Sequence, residues 1–206
     1  MTAPGQSRSA DLGPPDFVVV GAMKCGTTSL DRYLGSHPEI QMMEKDLDFL
    51  LREPTDPDGW YRARFAPAKP GARLRGETSA NYAKHPFVSG VPERMRRLLP
   101  TARLIYLVRD PLDRIVSHYL HNVYAGTETR SLEQVLAAQG ANGLYVATSR
   151  YATQLERFLA CFEPDRIRVV PLDELSSAER RLATLRELFR FLGVDEAIRP
   201  SEMAGL

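Results

Sequence analysis

The chain has 206 residues, 43% of them hydrophobic and 26% charged, enough to bury one core and ordinary for a globular protein. Its 27 basic and 26 acidic residues leave a formal charge of +1, which argues against a bulk polyanion-binding surface and against nucleic acid as a partner, but leaves room for a local basic cleft. No apolar run approaches membrane-spanning length, and residues 1–15 have no hydrophobic segment of the signal-peptide kind, so they read as a disordered arm on a cytoplasmic protein.

In chain order, residues 17–20 (FVVV) predict a first strand. The turn Gly21-Ala22-Met23-Lys24-Cys25-Gly26 then runs into a helix over 27–34, closed by Gly35 and by His37-Pro38. Residues 41–70 read as irregular, rich in charge and proline, and carry the sole tryptophan, Trp60. A short strand is expected at 74–77, then a helix over 92–99 with Pro92 near its first turn. Residues 103–108 (RLIYLV) are the clearest buried strand. The helix predicted over 111–124 turns Ile115, Val116, Tyr119, Leu120 and Val123 inward. Ser131 and Gln134 form a capping box for a helix over 131–139. Residues 151–162 are amphipathic, 167–172 form another strand, and 178–192 a long helix ending at Gly193. This alternation predicts an α/β fold of P-loop type, three layers deep, with a central parallel sheet flanked by helices. Residues 16–206 form one domain.

The chemistry begins in the first turn. Gly21-x-x-x-x-Gly26-Thr27-Thr28 keeps the spacing of a nucleotide-binding P-loop, but Thr27 stands where a triphosphate enzyme has lysine. The lysine sits at Lys24, inside the loop, where it can reach a bridging oxygen. Only four of the 27 basic residues are lysines (Lys24, Lys45, Lys69 and Lys84), so one in this loop stands out. A glycine-framed turn opening a helix aims backbone N–H groups at an anion. Cys25 reads as a small loop residue, and its distance in sequence from Cys161 fits neither a disulfide nor a metal pair.

Ligands of open parallel sheets bind at the carboxyl ends of the strands. Three strands end there in polar residues: Lys24 with Thr27 and Thr28, Glu77 with Ser79, and Arg109 with Ser117 on the next helix. Taken alone, Arg109 is a surface arginine at a strand end. Beside a phosphate loop, an Arg fork and a hydroxyl make a receptor for a second phosphate. Asp110 precedes Pro111 and reads as a helix cap rather than a metal carboxylate, so no metal is expected. Two phosphate receptors point to a nucleotide bisphosphate.

These segments resemble a known family. GAMKCGTTSL followed by LGSHPEI is similar to the 5′-phosphosulfate loop of sulfotransferases that use 3′-phosphoadenosine 5′-phosphosulfate (PAPS). LIYLVRDPLDRIVSHYLHNV resembles their 3′-phosphate motif, and RGETSANY the segment carrying the catalytic carboxylate in the heparan-sulfate-type branch. GWYRARF and RYATQLERFLACF…FLGV also follow that branch, and the likeness runs from about residue 16 to residue 194. It implies transfer of a sulfuryl group to a hydroxyl or amine of a carbohydrate, lipid or secondary metabolite, without a metal.

The resemblance also implies roles. Residues Lys24, Cys25, Gly26, Thr27, Thr28 and Ser29 would hold the 5′-phosphate, Lys24 would neutralise the departing oxygen, and Arg109 with Ser117 would hold the 3′-phosphate. Glu77 would act as base, with a structural carboxylate paired to an arginine such as Arg75 as the alternative. His121, four residues after Ser117, would support catalysis, whereas His118 is structural. Lys45 falls where the family has Lys-Glu-x-x-Phe-Phe; here the segment reads Lys45-Asp46-Leu47-Asp48-Phe49-Leu50, a departure, and Lys45 is a candidate substrate contact. Family members continue into a basic, glycine-containing loop over the nucleotide, and residues 200–206 show nothing of that kind. Either another segment covers the nucleotide or binding is weak. The rival readings are a kinase-like P-loop enzyme and a silent nucleotide-binding remnant.

Overall fold

A computed structural model describes residues 13–52, 55–65 and 67–197. The expected arm lies almost wholly outside these residues, as does the chain end at 200–206.

The described chain folds as β1 (Phe17–Gly21), α1 (Thr27–Ser36), β2 (Ile40–Met42), α2 (Pro57–Arg64), β3 (Leu74–Thr78), α3 (Val91–Leu98), β4 (Arg103–Val108) and α4 (Pro111–Tyr124). It continues through α5 (Leu132–Gln139), α6 (Leu144–Ala147), α7 (Tyr151–Leu159), β5 (Ile167–Pro171), α8 (Leu172–Ser176) and α9 (Arg181–Leu192). The five strands form one parallel sheet in the order β2-β3-β1-β4-β5, as the alternation predicts. Every residue of β1 is buried, and so is the middle of β4, because both faces of a central parallel strand are covered. From β1 the chain builds outward to β2 and β3 on one side, then crosses to β4 and β5 on the other. The carboxyl ends of β1 and β4 therefore flank the switch point where such sheets bind ligands.

Two expectations are corrected. Residues 41–70 are not irregular throughout: β2 pairs with β3, Phe49–Leu51 is a turn of 3₁₀ helix, and α2 follows. Pro57, one of the prolines that made this stretch read as irregular, is the first residue of α2. Asp56 caps that helix by accepting from the Gly59 N–H at 3.1 Å. The inner face of α4 is also different. The structure buries Arg114, Ile115 and His118, and leaves Val116, Leu120 and Val123 44%, 42% and 37% exposed. Both stripes have helical spacing, and hydrophobicity picks the wrong one because Arg114 finds partners inside. Smaller shifts are that α9 begins at Arg181 and that Leu172 opens α8 rather than closing β5. The Asp110 cap and the Ser131–Gln134 capping box form as expected.

Candidate active site

The loop after β1 is built by backbone that few residues adopt: Gly21, Lys24 and Gly26 have φ of 139°, 70° and 87°. Gly21 is required by close approach, since a Cβ there would lie 3.3 Å from the Ala83 Cβ and 3.5 Å from the Ala80 carbonyl. Ala22 N–H donates to the Leu107 carbonyl at 3.0 Å, which ties the loop to β4. Gly26 caps α1 without any side-chain hydrogen bond. A helix makes no bond of its own to its first-turn amides, here those of Thr27, Thr28 and Ser29, and such a helix start with its dipole suits an anion. Thr27 is buried, while Thr28 and Ser29 are exposed. Cys25 is buried against the Tyr151 hydroxyl at 3.4 Å, and burial pushes its thiol up. That surrounding suits a small loop residue and not a reactive thiolate.

Arg109 leaves β4 toward this loop. Its Nη1 donates to the Lys24 carbonyl at 3.4 Å, Nη2 pairs with Asp113 at 3.3 Å, and its backbone N–H donates to Tyr151 at 3.4 Å. Lys24, Arg109, Ser117 and His121 line one cavity of about 460 Å³ together with Asp113, Val116, Leu120 and Tyr124. Residues 24, 109, 117 and 121, picked from two segments far apart in sequence, are thus brought together. His121 stays exposed at the cavity wall, and partial desolvation, with Lys24 and Lys84 nearby, lowers its imidazole from the ordinary value.

Glu77 occupies a different setting. It is 0% exposed, accepts hydrogen bonds from Tyr61 at 2.9 Å and from Tyr82, and does not line the 460 Å³ cavity. Burial raises its carboxyl to about 7, against the pull of the two phenols and with a smaller push from Asp48. Its partners are tyrosines rather than the arginine expected of a structural carboxylate. Tyr82 accepts in turn from the Leu50 N–H, and Tyr61 sits edge-on to Phe49, which stacks on Trp60 at 4.0 Å. The segment containing α2 is therefore the cover over Glu77.

Lys45 pairs with the neighbouring Asp46 and lies outside the Lys24 cavity. The departure at 46 and the neighbouring Asp48 have a structural use: Asp46 accepts from the Ala80 N–H at 2.9 Å, and Asp48 from Ser79 and from Asn81. Both adopt left-handed backbone, with φ of 58° and 55°, and hold the turn that follows Glu77.

Three features escape the sequence reading. Lys84 is largely buried beside Arg114, within the field of Asp46, Asp48, His118 and His121, and burial lowers its ammonium. The scarcity of lysine was the available signal for it. Arg114 is fully buried and hydrogen-bonded to the Met23 carbonyl at 3.1 Å; an arginine in a helix gives no sequence signal of burial. The Tyr61 and Tyr82 pair is invisible because its shared partner is Glu77. His118 is buried on the face of α4 that the periodicity did not single out, edge-on to Tyr145, and burial with Arg114 and Lys84 pushes it down to about 3. Among the described residues no cluster of three or more His, Cys, Asp or Glu is placed to hold a metal, and no helix is long and apolar enough to cross a membrane.

Comparison with known proteins bears on the fold and on the family. The membrane-associated sulfotransferase kil1 of Dictyostelium discoideum is 34% identical over 108 residues, 51% of this chain and 22% of that protein. Heparan sulfate glucosamine 3-O-sulfotransferase 3B1 of Mus musculus is 27% identical over 191 residues, 89% of this chain and 47% of that protein. The chain thus spans from about a fifth to about half the length of these curated relatives. A crystal structure of a sulfotransferase from Alicyclobacillus acidocaldarius superposes with a TM-score of 0.78 at 30% identity, covering 93% of this chain and 86% of that one. Mouse SULT7A1 complexed with PAP shares the fold at 18% identity and a TM-score of 0.57, over 92% of this chain and 61% of that one. The sulfotransferase domain family matches residues 14–203, and this chain belongs to that family.

Proposed function

We propose that the chain transfers a sulfuryl group from PAPS to a hydroxyl or amine by in-line displacement. The observation that carries this reading is the cavity in which Lys24, Arg109, Ser117 and His121 meet beside the uncapped start of α1. The residues present fit such a donor. The first-turn amides and Lys24 face one anionic group, and Arg109 with Ser117 can take a second, the feature that separates a 3′,5′-bisphosphate from ATP. Lys24 stabilises charge on the leaving phosphate as the S–O bond breaks. Glu77 takes the acceptor proton in this reading, its carboxyl raised by burial to about 7 and so poised for base catalysis near neutral pH. Glu77 is wholly buried, with one tyrosine hydroxyl on each carboxylate oxygen, so the acceptor must open a way past Tyr61 or Tyr82 to a remaining lone pair. His121 supports the reaction from the cavity wall.

Carbohydrates are the first acceptors to test, as the names of the heparan sulfate relatives suggest, followed by lipid and secondary-metabolite alcohols. Lys45 is kept as a contact on the acceptor side, released from Asp46 when an anionic acceptor binds. Transfer of labelled sulfate from PAPS across such a panel, with calorimetry of adenosine 3′,5′-bisphosphate, tests the proposal. Binding without transfer to any acceptor would indicate a silent nucleotide-binding domain. Turnover of ATP with Mg²⁺ and indifference to PAPS would indicate a kinase-like enzyme.

A further inference from the structure

Arg114 is the largest side chain wholly removed from solvent in the described chain. Its Nε donates to the Met23 carbonyl at 3.1 Å. Its Nη1 donates to Thr148 Oγ1 at 2.7 Å, Ser149 Oγ at 2.9 Å and the Tyr145 carbonyl at 3.3 Å. The two hydroxyls spend their protons on the Leu144 and Tyr145 carbonyls, at 2.5 Å and 2.7 Å, so their lone pairs are fixed toward the guanidinium. These four partners are neutral oxygens, and the buried Nη2 has no hydrogen-bond partner among the described residues. A buried cation balanced only by dipoles is a costly way to hold helices together, and packing alone would favour an apolar residue. The arrangement makes sense if the charge serves the neighbouring loop, which must hold an anion.

We propose that Arg114 is a positioning residue for the donor: by gripping the Met23 carbonyl from α4, it keeps Lys24 and the loop amides aimed at the 5′-phosphate. The inference rests on the PAPS reading of the site. Arg114 shares α4 with Ser117 and His121, so one helix sets both the 3′-phosphate receptor and the loop that receives the 5′ end. The grip spans 91 residues between Met23 and Arg114, and a further 31 to 35 to the residues that hold the guanidinium in place.

The test compares three ligands by calorimetry on the full chain: adenosine 5′-phosphate, adenosine 3′-phosphate and adenosine 3′,5′-bisphosphate. Arg114→Lys keeps the charge but cannot serve all four oxygens. It is expected to weaken both ligands bearing a 5′-phosphate by about tenfold, the scale of one charge-assisted hydrogen bond, and to leave adenosine 3′-phosphate unchanged. Arg109→Ala is expected to show the opposite selectivity. Ser149→Ala removes one support of the guanidinium and should reproduce the Arg114→Lys pattern at about threefold, which covers the case in which Arg114→Lys does not fold. Equal loss for all three ligands, or no loss for any, in either variant would overturn the proposal. Failure of the wild-type chain to bind the bisphosphate would instead sink the donor reading, and this inference with it.

Discussion

Lys24 and Arg109 touch through the Lys24 carbonyl, yet the two side chains are proposed to act on opposite ends of one nucleotide. Lys24→Ala is expected to lower kcat by about a hundredfold or more with little change in nucleotide affinity, because its charge matters most as the leaving group develops. Single-turnover rates beside calorimetric affinities would check this; lost affinity at unchanged rate would make Lys24 a simple binding residue. Arg109→Ala should cost adenosine 3′,5′-bisphosphate about 1.5–3 kcal/mol and leave adenosine 5′-phosphate nearly untouched. For the base, Glu77→Gln should cut turnover by roughly 10²–10⁴ and abolish the acidic limb of the pH–rate profile, while His121→Ala costs less and keeps that limb. The reverse ranking would transfer the role to His121, which already lines the cavity.

At the level of elements, β3 seats Glu77 next to a residue that has to be small. A Cβ at Gly76 would overlap the Phe17 ring and the Met42 sulfur, so the strand lies close against β1 and β2 there. Gly76→Ala should therefore destabilise the fold by about 1–3 kcal/mol through overpacking, measurable as a shifted denaturation midpoint. The alternative, that neighbours yield freely, would show as no shift. The elements themselves were partly legible. β1, β4, the start of α1 and the capped start of α4 follow from runs and caps within a few residues. The three-residue β2 and the proline-led α2 did not, because a short strand draws its identity from the partner strand and a proline signals a helix start as readily as a break.

In the whole molecule, two buried groups make stability depend on pH in opposite directions. Glu77 has its carboxyl raised from 4.5 to about 7, so its contribution is complete below the unfolded value and is lost as pH rises through the folded one. His118 has its imidazole lowered from 6.5 to about 3; it contributes fully above the unfolded value and is lost as pH falls. Glu77→Gln should thus gain stability over the wild type as pH rises from about 5 to about 8, on the order of 2–3 kcal/mol. His118→Leu should lose less than the wild type between about pH 6.5 and about pH 4. Thermal melts across this range read both, and parallel curves for wild type and variants would refute the assignment.

The primary structure alone was enough for the α/β class, for the glycine-framed turn after β1, and for singling out Lys24, Arg109, Ser117 and His121, which the fold gathers around one cavity. Each of these depends on backbone geometry or periodicity encoded within about a dozen neighbouring positions. The tertiary structure alone decided which stripe of α4 is buried, what encloses Glu77, and that Arg114 grips the loop. Those outcomes turn on whether a polar group finds partners inside. For Arg114 the partners lie between 31 and 91 residues away, where no local pattern can register them.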